Sequence, residues 1–180
     1  MPDPRLDAIS RHLSYLLRHH PEAAGLHMDE HGWVRVDELV AAVAQKHSFD
    51  QTTLERIVAT DKKGRYSFNE DRTLIRANQG HSIPVDVELA CVTPPDRLFH
   101  GTATRFAESI ERQGLLPQNR LYVHLSPDPE TAMVVGARHG KPMVYVVDAK
   151  AMSAAGHRFF LSVNGVWLVK TVPPEYLTRM

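Results

Sequence analysis

Apolar residues at Leu6, Ile9, Leu13, Leu16 and Leu17 recur at helical spacing, so residues 6 to 19 read as an amphipathic helix with one buried stripe. That helix runs into Pro21, and a proline disfavours α geometry in the residue before it. An end at about His19 or His20 follows. After a turn from Gly25 to Gly32, Trp33-Val34-Arg35-Val36 reads as a short strand leading into Asp37, a good N-cap. Val36, Leu39, Val40 and Val43 form the next apolar face. Phe49-Asp50-Gln51 opens a third helix with Leu54, Ile57 and Val58 inward. Arg65-Tyr66-Ser67-Phe68-Asn69 and Leu74-Ile75-Arg76-Ala77 alternate in polarity, and Glu70-Asp71 turns the chain between them, which predicts a hairpin. Three helices and a terminal hairpin make a winged-helix arrangement over residues 1–80.

Residues 81–95 read as a connector, preceded by Gln79 and Gly80. It holds Pro84, Pro94 and Pro95 around a strand-like Val85 to Val92. The pattern changes over residues 96–180. Leu98-Phe99-His100 is strand-like and ends in Gly101-Thr102. Phe106, Ile110 and Leu115 mark a helix closed by Gly114. Leu121 to Ser126 reads as a second strand, and Pro127, Asp128 and Glu130 start another helix, as suits a positive N-terminus. Met143 to Val147 is a buried strand, and Arg158–Val163 with Val166–Val172 form a hairpin around Asn164-Gly165. The fold class is α+β in two lobes.

Composition sharpens this. A chain of 180 residues that is 43% hydrophobic and 23% charged can bury a core in one or two small domains. Lys plus Arg and Asp plus Glu each total 21, so any polyanion has to be met by local clusters rather than by a basic surface. The single cysteine, Cys91, excludes an internal disulfide framework and points to a reducing compartment. Met1 to Asp7 lacks the apolar run of a signal peptide, and no stretch of about 20 apolar residues could span a membrane. A soluble, cytoplasmic protein with no membrane partner is expected.

Several positions carry candidate chemistry. Arg18-His19 sets a permanent cation beside a titratable imidazole at the negative end of a helix, where the pair is either a solvated cap or an anion site. His27-Met28-Asp29-Glu30-His31 matches the His-x-x-Glu-His zinc pattern in letters only. Between Gly25 and Gly32 there is no room for the helix that would align both histidines, so a polar turn and no metal site is expected. Lys62-Lys63-Gly64-Arg65 is a basic turn that could stay solvated or grip a phosphate through a bidentate guanidinium. Gln79-Gly80-His81-Ser82 reads as a polar loop. His100-Gly101-Thr102 and His124-Leu125-Ser126 each end a strand, with a hydroxyl following the histidine within two residues. Gly101 would free backbone amides for a ligand and Thr102 would cap the next helix. With no Gly-x-Gly-x-x-Gly anywhere, such a pair suggests a nucleotide held without a Rossmann fold. Gly136-Ala137-Arg138-His139-Gly140-Lys141-Pro142 is a basic loop at a helix end, either a dipole-complementing cap or another guanidinium site.

In chain order, Leu-Ser-x-Leu-Leu-Arg-His-His-Pro, Lys-Gly-Arg-Tyr-Ser-Phe, Ile-Arg-Ala-Asn-Gln-Gly-His-Ser, Phe-His-Gly-Thr, His-Leu-Ser, Gly-Ala-Arg-His-Gly-Lys-Pro and Asn-Gly-Val-Trp-Leu resemble the RNA 2′-phosphotransferase family, from Leu13 to Leu168. Tyr66 stands where that family more often carries phenylalanine. The resemblance implies a winged-helix lobe for RNA and phosphate, and an ADP-ribosyltransferase-like split β-sheet lobe that binds NAD+. It places the family's Arg-His-Arg-Arg catalytic set on Arg18, His19, Arg65 and Arg138. It places NAD-binding elements on His100, Gly101, Thr102, His124, Leu125 and Ser126, and it puts Val163 where better-known ADP-ribosyltransferases carry a glutamate. No metal is implied, and a monomer acting on RNA that bears a 2′-phosphate is expected.

The implied reaction has two steps. The 2′-phosphate attacks the anomeric carbon of the nicotinamide riboside and expels nicotinamide. The ribose 2″-hydroxyl then attacks the phosphodiester, releasing RNA with a 2′-hydroxyl and ADP-ribose 1″,2″-cyclic phosphate. A phosphate is already nucleophilic, so it needs no carboxylate base, and an apolar Val163 is consistent with that. Guanidiniums aimed at the phosphoryl oxygens stabilise the developing charge by about 3 kcal/mol per well-placed donor. An imidazole moving the proton contributes roughly 100- to 10,000-fold. On this basis Arg18, Arg65 and Arg138 clamp the phosphate and His19 moves the proton. His100 and Ser126 orient the NAD ribose, and Thr102 serves the adenylate side. Two rivals remain at this level: a transferase acting on terminal nucleic-acid phosphates or a protein, and a non-enzymatic winged-helix DNA-binding regulator. The regulator explains residues 6–78 but leaves the paired histidines and Arg138 unused.

Overall fold

In a computed structural model the described residues are 3–180; Met1 and Pro2, at the start of the stretch read above for a signal peptide, lie outside them. The chain is a mixed α/β protein with six helices and three small antiparallel sheets among the described residues. It divides into two compact units, Met1–Glu88 and Leu89–Met180. No helix is long and apolar enough to cross a membrane among the described residues.

In the first unit, α1 (Pro4–Arg18) starts before the apolar stripe because Asp3 accepts from the Arg5 amide and Pro4 suits a first helical turn. It ends as expected before the proline, with His19 as C-cap and the His19 amide donating to Tyr15 O at 3.1 Å. Ile9, Leu13, Leu16 and Leu17 are buried on its inner face. β1 (Val34–Arg35) leads into α2 (Val36–Ala44), whose N-cap is Arg35 and not Asp37. The Val36 amide donates to Thr73 O at 2.8 Å, which pins the helix start two residues early. Asp37 then sits in the first turn, where its carboxylate takes the Arg35 guanidinium. α3 (Gln51–Thr60) is capped by Asp50. The hairpin β2 (Tyr66–Phe68) and β3 (Leu74–Ala77) forms, and β1 joins it in the order β1-β3-β2. Leu39, Val43, Leu54, Ile57 and Ile75 close the core against α1.

The strand-like run Val85 to Val92 shrinks to β4 (Ala90–Cys91). The preceding backbone is committed elsewhere: the Asp86 amide donates to Glu30 O, the Asp86 carbonyl meets His31 Nδ1, and Glu88 has φ +58. In the second unit β5 (Arg97–Ala103) is longer than Leu98-Phe99-His100 predicted. It pairs along its length with β7 (Pro142–Asp148), which also pairs with β10 (Leu177–Arg179). The other sheet runs β4-β8-β9-β6, with β6 (Val123–Leu125), β8 (Phe160–Leu161) and β9 (Trp167–Val169). An antiparallel bridge between Phe99 and Ser126 ties the sheets together. Helices α4 (Ala107–Gln113), α5 (Pro129–Ala137) and α6 (Ala149–Ala154) complete the unit. Its core is built on Leu98, Val123, Leu125, Val147, Met152 and Phe159.

Candidate active site

The four-residue spacing of Ser10, Ser14 and Arg18 puts all three on one stripe of α1. Ser10 Oγ accepts from Arg65 Nη2 at 2.9 Å, and the Ser10 carbonyl accepts from the Tyr66 hydroxyl at 2.7 Å. With its one proton so used, Tyr66 accepts from Ser14 Oγ at 2.6 Å. Arg18 packs against Gly80 (φ +89), where a Cβ would lie 3.3 Å from the guanidinium carbon. Arg65 therefore meets α1 at Ser10, and Arg18 leaves the helix about 12 Å further along its axis at 1.5 Å per residue.

Arg65 is not a solvated loop residue. Asp61, four positions earlier, accepts from the Arg65 amide at 2.7 Å and from its Nε and Nη2, and the Asp61 side chain is only 4% exposed. Burial opposes both charges, but the hydrogen bonds between them prevail: the Asp61 carboxyl is held below its ordinary value and the Arg65 guanidinium is pushed above its own. The bonds of Arg65 to Asp61 and Ser10 run through Nε and Nη2, so that edge of the fork is committed to the protein.

The loop Gln79 to Ser82 closes over the end of α1. The Ser82 amide donates to Arg18 O at 3.0 Å, and Ser82 Oγ lies 2.8 Å from His19 Nδ1. His81 is buried at 2% exposure, and its pKa is lowered to about 4 by burial and by the positive charge of Arg18, His19 and Arg76. His20 faces away onto Glu22 and the Tyr15 ring, 4.8 Å between centroids. His27 to His31 is a polar turn: Asp29 accepts from the amides of His31 and Trp33, and no helix forms.

In the second unit, His100 and His124 are oriented by partners that leave no choice of tautomer. His100 Nδ1 faces the His124 carbonyl at 3.0 Å, and a carbonyl only accepts, so Nδ1 carries a proton. Burial pushes this half-buried imidazole below its ordinary value, so it is neutral and its Nε2 is an acceptor. His124 Nδ1 faces Arg120 Nη1 at 3.1 Å, and a guanidinium only donates, so His124 keeps its proton on Nε2. One ring offers an acceptor and the other a donor.

Gly101 has a packing duty beyond any ligand. A Cβ there would lie 1.6 Å from the Ala132 carbonyl oxygen, and one at Gly136 would lie 2.7 Å from the Thr102 carbonyl oxygen, so α5 lies directly on β5. Thr102 does not cap a helix. It pairs with Met143 inside β5, and Ala103 precedes the single 3₁₀ turn that follows. Leu125 is buried in β6, and Ser126 exchanges backbone hydrogen bonds with Phe99. Val163 is 78% exposed in the turn between β8 and β9. Arg138 is exposed as the C-cap of α5. Among the described residues no group of three or more His, Cys, Asp or Glu is placed to hold a metal.

Arg18, His19 and Arg65 thus lie in the first unit, and Arg138 with the paired histidines in the second. Sequence reasoning passed over Ser10, Asp61 and Arg120. It left Ser82 as part of a loop.

Comparison with known proteins covers nearly the whole chain. Residues 4–171 match the model of the RNA 2′-phosphotransferase, Tpt1 / KptA family. A probable RNA 2′-phosphotransferase of Nostoc punctiforme is 51% identical over 181 residues, covering 100% of both chains. One from Pseudomonas syringae pv. tomato is 53% identical, covering 97% of this chain and 94% of its own. One from Streptomyces coelicolor is 51% identical, covering 98% and 97%.

Proposed function

The chain belongs to the RNA 2′-phosphotransferase, Tpt1 / KptA family, and from that premise we propose that it removes a 2′-phosphate from RNA with NAD+ as a consumed substrate. The first unit would act as a winged-helix lobe, which three helices followed by a hairpin support. The second would act as an ADP-ribosyltransferase-like lobe that holds NAD+. The residues there fit such a ligand: a ribose carries adjacent hydroxyls that each donate and accept, and His100 carries an acceptor at Nε2 while His124 carries its proton there.

NAD+ supplies an electrophilic anomeric carbon with nicotinamide as leaving group. Arg18, Arg65 and Arg138 bind the RNA 2′-phosphate and orient one of its oxygens for attack there. Asp61 holds Arg65 by Nε and Nη2, so the guanidinium meets phosphate already oriented and loses little freedom on binding. In the second step the ribose 2″-hydroxyl attacks phosphorus, and His19 moves the proton. Guanidiniums stabilise the phosphoryl oxygens as charge builds on them. Val163 brings no carboxylate to the turn between β8 and β9, in keeping with a nucleophile that is itself an anion. His100 and Ser126 orient the ribose, with Gly101 and Thr102 of β5 and His124 and Leu125 of β6 around it. Cys91, the lone cysteine, supports a reducing cytoplasmic setting, and a single chain is the working unit.

The observation that carries this reading is the end of α1, where Arg18 and His19 are gripped by the Gly80–Ser82 loop while Arg65 is anchored along the same helix edge. His19→Ala is expected to release nicotinamide and stall with ADP-ribosylated RNA; full turnover by that variant would contradict the role of His19.

A further inference from the structure

We propose that Ser82 is a positioning residue for the second step: its hydroxyl accepts from His19 Nδ1–H and so makes Nε2 the atom that exchanges the proton. This rests on the role given to His19 above. Ser82 Oγ lies 2.8 Å from His19 Nδ1, across a sequence separation of 63 residues.

The bland alternative is that Ser82 only finishes the helix. The structure separates the two duties. The helix end is satisfied by the backbone, with the Ser82 amide donating to Arg18 O at 3.0 Å. An alanine keeps that bond and loses only the contact to the ring. Ser82 is itself held in place. Gly80 at φ +89 lets the chain descend onto the Arg18 guanidinium, and the buried side chain of His81 anchors the loop from the other side. The Ser82 backbone is therefore held where its hydroxyl reaches the ring. Asp61 and Ser10 hold Arg65 in the same manner, so His19 and Arg65 are each bonded to a neighbouring side chain.

The chemistry explains why the ring needs such a partner. A free imidazole divides its proton between two nitrogens and rotates about its side-chain bonds. To take the proton of the ribose 2″-hydroxyl as its oxygen bonds to phosphorus, the ring must present an unprotonated Nε2. In the direction proposed, Nδ1–H donates to the Ser82 hydroxyl and the ring is held in that form. The same bond persists when the ring becomes an imidazolium, because Nδ1 keeps its proton. As the bond from phosphorus to the RNA 2′-oxygen breaks, a proton returns to that oxygen, so none is gained or lost overall.

The test compares Ser82→Ala, Ser82→Thr and His19→Ala with the parent on NAD+ and a short RNA bearing an internal 2′-phosphate, following nicotinamide release and 2′-hydroxyl RNA separately. Ser82→Ala should leave nicotinamide release within about threefold and slow the second step by about 10- to 100-fold. That is part of the roughly 100- to 10,000-fold that a positioned proton-transfer group supplies. ADP-ribosylated RNA should accumulate, and Ser82→Thr should restore the second step. Imidazole ¹⁵N spectra of the parent, with His19 identified by its loss in His19→Ala, should show one Nδ1–H tautomer; in Ser82→Ala they should show a mixture. The parent spectrum decides the matter even if Ser82→Ala fails to fold: a His19 ring that averages freely, or is protonated on Nε2 alone, overturns the inference. So does a Ser82→Ala enzyme with the parental second step while His19→Ala stalls. If His19→Ala itself turns over normally, the role of His19 falls first and the inference with it.

Discussion

Arg120 Nη1 donates to Nδ1 of His124 at 3.1 Å, and because a guanidinium has no lone pair to offer, the imidazole is fixed with its proton on Nε2. The pair acts across four residues of irregular chain leading into β6. If His124 holds the NAD+ ribose, Arg120 governs binding more than chemistry. Arg120→Met is expected to raise the KM for NAD+ about tenfold, near 1.4 kcal/mol and the value of one hydrogen bond to a charged group, with kcat within about threefold. Steady-state kinetics with RNA held saturating checks this; an unchanged KM would remove Arg120 from the site.

Asp61 and Arg65 form a part-buried pair, so removing the carboxylate strands a cation. Asp61→Asn is expected to lose about 2 kcal/mol of stability at pH 7 and to weaken RNA binding by leaving Arg65 without its anchor. The pH dependence has a definite sign. The folded carboxyl is held below its ordinary value, so its contribution is present above the unfolded value of about 3.9 and is lost as pH falls through the lower folded value. Denaturant unfolding of parent and variant at pH 7 and pH 3 should show the difference shrinking at the acid end.

Gly101 is required by the approach of α5. A methyl group placed 1.6 Å from the Ala132 carbonyl oxygen forces backbone to move, and Gly101→Ala should cost about 3 kcal/mol or more. Gly165→Ala is the contrast. Nothing lies within 4 Å of the added carbon, and only the φ of +81 opposes it, a cost of about 1–2 kcal/mol. Thermal unfolding of the two variants should rank them in that order.

His81 gives the first unit an acid-sensitive support. Its folded value of about 4 lies below the unfolded value of about 6.5. Between those values the unfolded chain binds a proton that the folded one does not, so stability is full above about pH 6.5 and falls as pH drops toward 4. The span corresponds to about 3 kcal/mol. His81→Gln should flatten that part of the profile, as read by urea unfolding between pH 4 and pH 7; an unchanged slope would show that His81 does not titrate in this way.

The elements with a strong period are legible in the sequence itself. The stripe Leu6 to Leu17, the alternation around Tyr66 and Ile75, and the Asn164-Gly165 turn each carry a local signal that packing does not override. Boundaries set by tertiary hydrogen bonds are not legible there: Thr73 O moves the α2 start to Val36, and Glu30 and His31 draw Asp86 out of a strand. Arg18, His19 and Arg65 stand out as basic residues at a helix end and a turn, but their supports do not. Asp61–Arg65 and Arg120–His124 have the four-residue spacing that matters on a helix, and neither lies on one, so the spacing carries no message. Ser82 reaches His19 only because Gly80 permits the descent, and no local pattern encodes a contact between residues so far apart in the chain.

The central claim is that this protein takes a 2′-phosphate from RNA by way of NAD+. The most direct measurement incubates the purified chain with NAD+ and a short RNA bearing one internal 2′-phosphate, and separates the products by mass. The account predicts nicotinamide, RNA with a 2′-hydroxyl, and ADP-ribose 1″,2″-cyclic phosphate in equal amounts, with nothing formed when NAD+ is withheld. Release of inorganic phosphate without NAD+ consumption, or RNA returned with its 2′-phosphate intact, would contradict it.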